Sequence, residues 1–316
     1  MRYCAAPTIA PTMLLNFWSR NAFFRHFSRQ EAALLGVTVL WGGSFFVMHA
    51  AMAHSGPLFF VGLRFVVAGL VTMLVFRRMM AGVTRAEILA GSTIGASICV
   101  AYALLGHGLQ SIEASKSAFL TALYVPAVPL LQWLLTGRAP HPMAWLGIGL
   151  AFIGLLLISN PGVAAGFALG MGEAATILGA VVIALEILLI GKYAGQVNVQ
   201  RVTAIQLLVA GLCAFAAMPL AGEAIPSFSW LLVASAVGLG LVSALIHLTM
   251  NWAQQSVSPT RATLIYATDP IWAGIIGRIA GDRLPATALL GAAFIVAGIL
   301  ASELRPRRLA RATATP

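Results

Sequence analysis

From residue 32 to residue 303 the chain is a succession of apolar runs, separated by connections of only a few residues. Most runs are about 20 residues long, the length at which a helix crosses the hydrocarbon of a bilayer. Windows of about 19 residues place ten segments at 32–53, 57–76, 86–109, 114–136, 142–159, 173–194, 201–221, 228–253, 258–280 and 284–303. Tight turns such as His54-Ser-Gly-Pro57 and Gly137-Arg-Ala-Pro-His-Pro142 leave no room for a soluble domain. Charged residues are 9% of the chain and apolar ones 60%, whereas soluble domains carry about a quarter charged residues. The expectation is an all-α polytopic membrane protein with ten transmembrane helices.

A formal net charge of +10 raises nucleic acid as a partner. The basic residues, however, sit at segment ends rather than on one face, which is a topology signal and not a phosphate-binding patch. With the N-terminus inside, Arg20, Arg25, Arg29, Arg77, Arg78, Arg85, Arg138, Lys192, Arg201 and Arg261 are cytoplasmic. Arg305, Arg307, Arg308 and Arg311 in a basic tail, residues 305–316, join them. Only Lys116, Arg278 and Arg283 fall near outer ends. Both termini of a multi-pass inner-membrane protein are therefore expected in the cytoplasm. Residues 1–30 mix aromatics with arginines and read as a cytoplasmic extension lying on the membrane surface, or as an over-long gene start with Met13 or a later codon as the true beginning. Cys4, Cys99 and Cys213 are scattered, so neither a disulfide framework nor a metal site is expected. No cofactor is expected either.

One constant offset carries Pro126 onto Pro270, Gly137 onto Gly281, Gly147 onto Gly291 and Gly154 onto Gly298 without a gap. That is an internal repeat, with halves at 31–160 and 173–304 and the Gly/Ala-rich stretch opened by Pro161-Gly162 as the join. Five helices per half is an odd number, so the two copies lie in opposite orientations. Inverted repeats are a transporter device, in which the halves rock about a site near the midplane.

Chemistry is concentrated in a few polar side chains at membrane depth. Asp269 and Pro270 stand side by side in the ninth segment, predicting a helix kinked at its acid. Glu186 is in the middle of the sixth. Such acids can take a proton, neutralise a cationic substrate, pair with a basic group for structure or face a water-filled vestibule. Arg64, in the second helix, is the one well-embedded basic residue, suited to packing or to a substrate carboxylate. His247 and Asn251 share a face of the eighth helix with Ser243. Ser117, Thr121 and Tyr124 share one of the fourth, and Thr263, Tyr266 and Asp269 one of the ninth. Trp41, Ser44 and Met48 line one side of the first helix, and Tyr102 sits in the third. The expected cavity lining is Trp41, Ser44, Tyr102, Thr121, Tyr124, Glu186, His247, Asn251, Tyr266 and Asp269, with Glu186 and Asp269 as candidates for proton or cation coupling.

Trp41-Gly-Gly-Ser-Phe-Phe followed by Pro57-Leu-Phe-Phe-Val-Gly-Leu-Arg64-Phe resembles the opening of an EamA-type transporter of the drug/metabolite transporter superfamily. The resemblance continues through Ala118-Phe-Leu-Thr-Ala-Leu-Tyr-Val-Pro126 and returns in Asp269-Pro270 and Gly281-Asp-Arg283-Leu, covering about 31 to 304. It departs at Gly137-Arg138, which lacks the acid usual in that turn, and at Asp269, where the family commonly has Glu. The resemblance implies a ten-helix carrier, monomeric or homodimeric, that exports or exchanges small metabolites, amino acids among them. A multidrug carrier of the same superfamily would favour aromatics around an acid, whereas a nucleotide-sugar carrier would need more basic residues than Arg64. Other classes fit less well. An intramembrane serine protease would place its serine and histidine on different helices, but Ser243 and His247 share one; His-Glu-x-x-His is absent. A channel would show rings of charge or filter repeats, and none is present.

Overall fold

The computed structural model describes residues 28–137, 139, 142–159, 169–281, 283 and 286–303. The expected N-terminal extension, apart from its last residues, the join after Pro161 and the basic tail lie outside them. Among the described residues every regular element is helical. The α-helices are α1 (Arg29–Met52), α2 (Pro57–Val75), α3 (Arg85–Leu109), α4 (Ala114–Thr121), α5 (Tyr124–Thr136), α6 (Pro142–Ser159), α7 (Met171–Tyr193), α8 (Val199–Ala217), α9 (Trp230–Ala253), α10 (Pro259–Tyr266), α11 (Asp269–Ala280) and α12 (Ala286–Glu303). Seven stretches are long and apolar enough to cross a membrane: α1, α2, α3, Ala114–Thr136, α7, α8 and α9. Shorter apolar stretches, Trp145–Gly154 and Leu289–Gly298, lie within α6 and α12.

The expected irregularity at the acid and proline of the ninth segment is present, and the fourth segment has its counterpart. In each, the α-helical pattern is interrupted over two residues, Ala122 and Leu123 or Ala267 and Thr268, which keep right-handed helical backbone and divide the segment into half-helices, α4 with α5 and α10 with α11. In a continuous helix Pro126 and Pro270 would each owe a hydrogen bond to the carbonyl four residues back, at Ala122 and Tyr266, and neither has the N–H to give. The chain instead makes tight turns, with Leu123 N–H donating to Leu120 O at 3.1 Å and Thr268 N–H to Ile265 O at 3.1 Å. It then starts a new helix whose first turn holds the proline, where a missing N–H costs nothing. The matched second half-helices also end alike. Gly137 (φ 71°) and Gly281 (φ 101°) are both left-handed caps, a backbone only glycine adopts readily.

Glycine sets the closest helix contacts as well. A Cβ on Gly154 would lie 2.5 Å from Gly291 O, and one on Gly298 would lie 2.6 Å from Gly147 O. The glycines matched by the repeat thus bring α6 and α12 together backbone to backbone, as small residues do in bilayers. Small residues do the same for α2, α3 and α8, where a Cβ on Gly211 would lie 2.6 Å from Val66 N and one on Gly95 2.8 Å from Val209 Cβ. The helices are hydrophobic nearly all round, so their apolar residues divide between a buried core and a surface carrying Leu74, Leu134, Leu220 and Ile279. That is the surface a hydrocarbon solvent permits.

Candidate functional site

The core is interrupted by a small cavity of about 30 Å³, lined mostly by apolar surface with a few polar side chains, room for about two waters. Helix α1 offers it Trp41, Ser44, Phe45 and Met48, the i, i+3, i+4, i+7 positions of a single face. Tyr102 and Leu105 come from α3, Ile183 and Glu186 from α7, and Met250 from α9. The broken helices complete the wall. Thr121 is the last residue of α4, Tyr124 the first of α5 and Asp269 the first of α11, so the chain breaks deliver all three to the cavity.

Asp269 is 1% exposed and, among the described residues, its Oδ1 has no hydrogen-bond partner. It is the first residue of α11, at the helix end whose dipole favours a carboxylate, while the first-turn N–H groups of Ile271 and Trp272 are directed to Thr268 O. Glu186, 3% exposed, has its Oε1 3.5 Å from His247 Nε2. The other imidazole nitrogen, Nδ1, lies 2.9 Å from Ser243 O one turn earlier.

Arg64 is wholly buried beside the cavity but does not line it. Its Nε donates to Ser243 Oγ at 2.7 Å, and its guanidinium lies over the rings of Tyr102 (4.9 Å) and Phe65 (5.2 Å). Aromatic faces stand in for the solvent that burial removed. One donor, Nη2, is without a partner. Ser243 Oγ in turn donates to Leu239 O at 2.7 Å, so this serine is committed to structure and not poised beside its histidine.

Of the residues expected from sequence, Trp41, Ser44, Tyr102, Thr121, Tyr124, Glu186 and Asp269 meet at one cavity. The other three lie one layer behind. His247 backs Glu186. Asn251 Nδ2 donates to Thr203 Oγ1 and Gln206 Oε1, both at 3.2 Å, tying α9 to α8. Tyr266 meets Trp41 edge to face at 5.0 Å. Sequence reasoning did not single out Phe45, Leu105, Ile183 or Met250, because an apolar residue on a wall looks like one in the core. It also missed Thr203 and Gln206, whose only signal was a polar pair three apart in an apolar helix. Among the described residues no three His, Cys, Asp or Glu side chains group as metal ligands, and Cys99 and Cys213 are free thiols.

Known proteins share the fold and the sequence pattern. A chain solved by crystallography superposes with a TM-score of 0.64 at 18% identity, over 88% of this chain and 99% of that one. The uncharacterized inner membrane transporter YedA of Escherichia coli (strain K12) is 26% identical over 295 residues, 88% of this chain and 91% of its own. The uncharacterized transporter YvbV of Bacillus subtilis (strain 168) is 26% identical over 137 residues, 43% of this chain and 45% of its own. The EamA-like transporter family matches twice, at residues 30–160 and 170–303, so that each half holds one broken helix and one wall of the cavity. By that double match the chain belongs to the EamA-like transporter family.

Proposed function

We propose that this family member is a secondary transporter of the inner membrane that exports a small metabolite, an amino acid or a related compound, by alternating access. In this reading α6, the α10–α11 pair and α12 cross the bilayer together with the seven longer stretches. The ten spans form two inverted five-helix repeats, and both termini are cytoplasmic. The observation that carries it is Asp269, a buried carboxylate with a free oxygen, facing a cavity whose walls come from both halves. An unpartnered polar atom at that depth costs free energy, which a bound amine, proton or water recovers. The cavity, at about 30 Å³, is too small for an amino acid, so substrate binding requires the halves to part.

Trp41, Phe45, Tyr102 and Tyr124 around two acids also favour a second reading, efflux of cationic compounds held by carboxylates and aromatic faces. Proton coupling through Glu186 and Asp269 is part of either. The test is growth of expressing cells against toxic amino acids, amino-acid analogues and cationic drugs, comparing wild type with Asp269→Asn at matched membrane abundance. Protection against one compound class, lost in the variant, supports export and names the class. Unchanged protection removes Asp269 from the mechanism, and no protection anywhere removes export. For coupling, the pH dependence of transport should flatten in Asp269→Asn and Glu186→Gln; wild-type pH profiles in both would refute it.

A further inference from the structure

Resting on the alternating-access reading, we propose that two ion pairs, Glu31–Arg261 and Glu173–Lys116, are the alternating seals of the cavity, one at each end of the bundle. Lys116 Nζ donates to Glu173 Oε1 at 2.7 Å, and Arg261 Nε donates to Glu31 Oε1. Glu31 is the third residue of α1 and Glu173 the third of α7, the first helices of the two halves. Arg261 is the third residue of α10 and Lys116 the third of α4, the two leading half-helices. Each pair therefore ties the first helix of one half to the broken helix of the other. Exchanging the halves exchanges the pairs.

They lie at opposite ends. His49 Nδ1, in the last turn of α1, is 2.9 Å from Leu109 O at the end of α3, so these two helices finish at the same end. Helix α4 starts a few residues beyond Leu109, which puts Lys116 and Glu173 there. Glu31 and Arg261 are at the other end of α1, about 30 Å away along a helix rising about 1.5 Å per residue.

Each seal also has a direct line to the cavity. Helix α4 runs from Lys116 to Thr121, which lines the cavity, and α10 runs from Arg261 to Tyr266, which meets Trp41. The two-residue interruption after each half-helix marks where its span can bend. A cation in the first turn opposes the helix dipole, so neither Lys116 nor Arg261 stabilises its own half-helix. What each gains comes from the carboxylate across the gap. The acids are anchored: Glu31 Oε2 accepts from Ser28 N–H at 2.8 Å, and Glu31 and Glu173 are 5% and 13% exposed in their side chains.

A second symmetric set of contacts behaves differently. At one end Arg201 donates to the carbonyls of Met79 and Ala81, both at 2.6 Å, and lies 3.4 Å from Glu87. At the other end Glu223 accepts from the N–H groups of Leu58 (3.0 Å) and Phe59 (2.7 Å). Those multiple bonds join the unbroken helices α2, α3 and α8 and the loop before α9. They are the scaffold against which single ion pairs can open. Both pairs are formed at once, and the cavity between them measures only about 30 Å³.

The test is side-specific access to the cavity. Cys4, Cys99 and Cys213 are replaced by Ala, Ser44→Cys supplies one thiol in the cavity wall, and a membrane-impermeant maleimide is added to right-side-out or inside-out vesicles. Without further changes the thiol should be labelled slowly from both sides, because the carrier cycles. Labelling from one side only gives a one-sided resting balance, and labelling from neither gives a shut one; the variants are read as shifts from that balance. Lys116→Gln should raise the rate from one side by about three- to fivefold, the equilibrium shift a partly exposed ion pair carries. Arg261→Gln should raise it from the opposite side by a similar factor. The exchanged pair Lys116→Glu with Glu173→Lys should return the wild-type balance, separating lost attraction from misfolding. If both variants favour the same side, or neither changes the balance, or the exchanged pair fails to restore it in folded protein, the seals are refuted while the transporter reading stands.

Discussion

Arg64 shows what one side chain can decide in this protein. With no carboxylate in contact among the described residues, this cation is held in the interior by Ser243 Oγ at 2.7 Å and by the faces of Tyr102 and Phe65. Removing the hydroxyl leaves a buried charged donor with nothing to bond, so Ser243→Ala should cost about 1–3 kcal/mol, read as a lower Tm of the detergent-purified protein. If Ser243 served a substrate instead, the same change would leave Tm alone and reduce transport. The sequence marked Ser243, His247 and Asn251 as one polar face, and they are one. It did not reveal that this face turns towards Arg64, Glu186 and helix α8, because direction around a helix is set by neighbours that spacing alone does not identify.

The decisive features at the level of elements are two broken helices and one crossing. If Pro270 bent a continuous helix, Pro270→Ala would relieve it by about 3 kcal/mol. Because Pro270 occupies the first turn of a new helix, the expected change is under about 1 kcal/mol and destabilising, through the extra freedom of the unfolded chain. Thermal unfolding of the variant distinguishes the two. In the α6–α12 crossing, Gly154→Ala and Gly298→Ala should each cost about 1–3 kcal/mol by forcing the backbones apart, and by the repeat they should cost similar amounts. Unequal losses, measured as folded protein recovered from membranes, would count against an equivalent role for the two glycines. The repeat was visible in sequence through Pro126, Pro270 and the glycines, since these residues have narrow backbone uses. Whether a proline kinks or breaks a helix depends on what else its freed carbonyl and the following N–H groups can find, and that is tertiary information.

For the whole molecule, topology and closure are the testable properties. The excess of arginine on one set of connections predicts that a fluorescent reporter fused after Pro316 will fold in the cytoplasm, and that an alkaline phosphatase fused there will be inactive. Active phosphatase at that position would reverse the orientation, and with it the side each seal controls. A cavity of about 30 Å³ makes opening a requirement of the proposed transport cycle. A bulky substitution in the wall, such as Ser44→Trp, should therefore abolish transport while leaving membrane abundance near wild type if the cavity opens in the cycle; loss of the protein from the membrane would mean the site cannot open.

Apolar run length determined an all-helical membrane protein, and Gly and Pro spacing determined its duplication. Both follow from local physics, the hydrocarbon thickness and the restricted backbone of two residue types. The sequence also placed seven polar and aromatic residues that meet at the cavity. Only the tertiary structure decided that the fourth and ninth segments are half-helix pairs and that His247, Asn251 and Tyr266 stand behind the wall. It alone brought Glu31 to Arg261 and Glu173 to Lys116. The pairings among these facts join residues 45 to 230 positions apart, where pairing energies of about 1 kcal/mol are chosen by the packing of whole helices and leave no periodic mark on the chain.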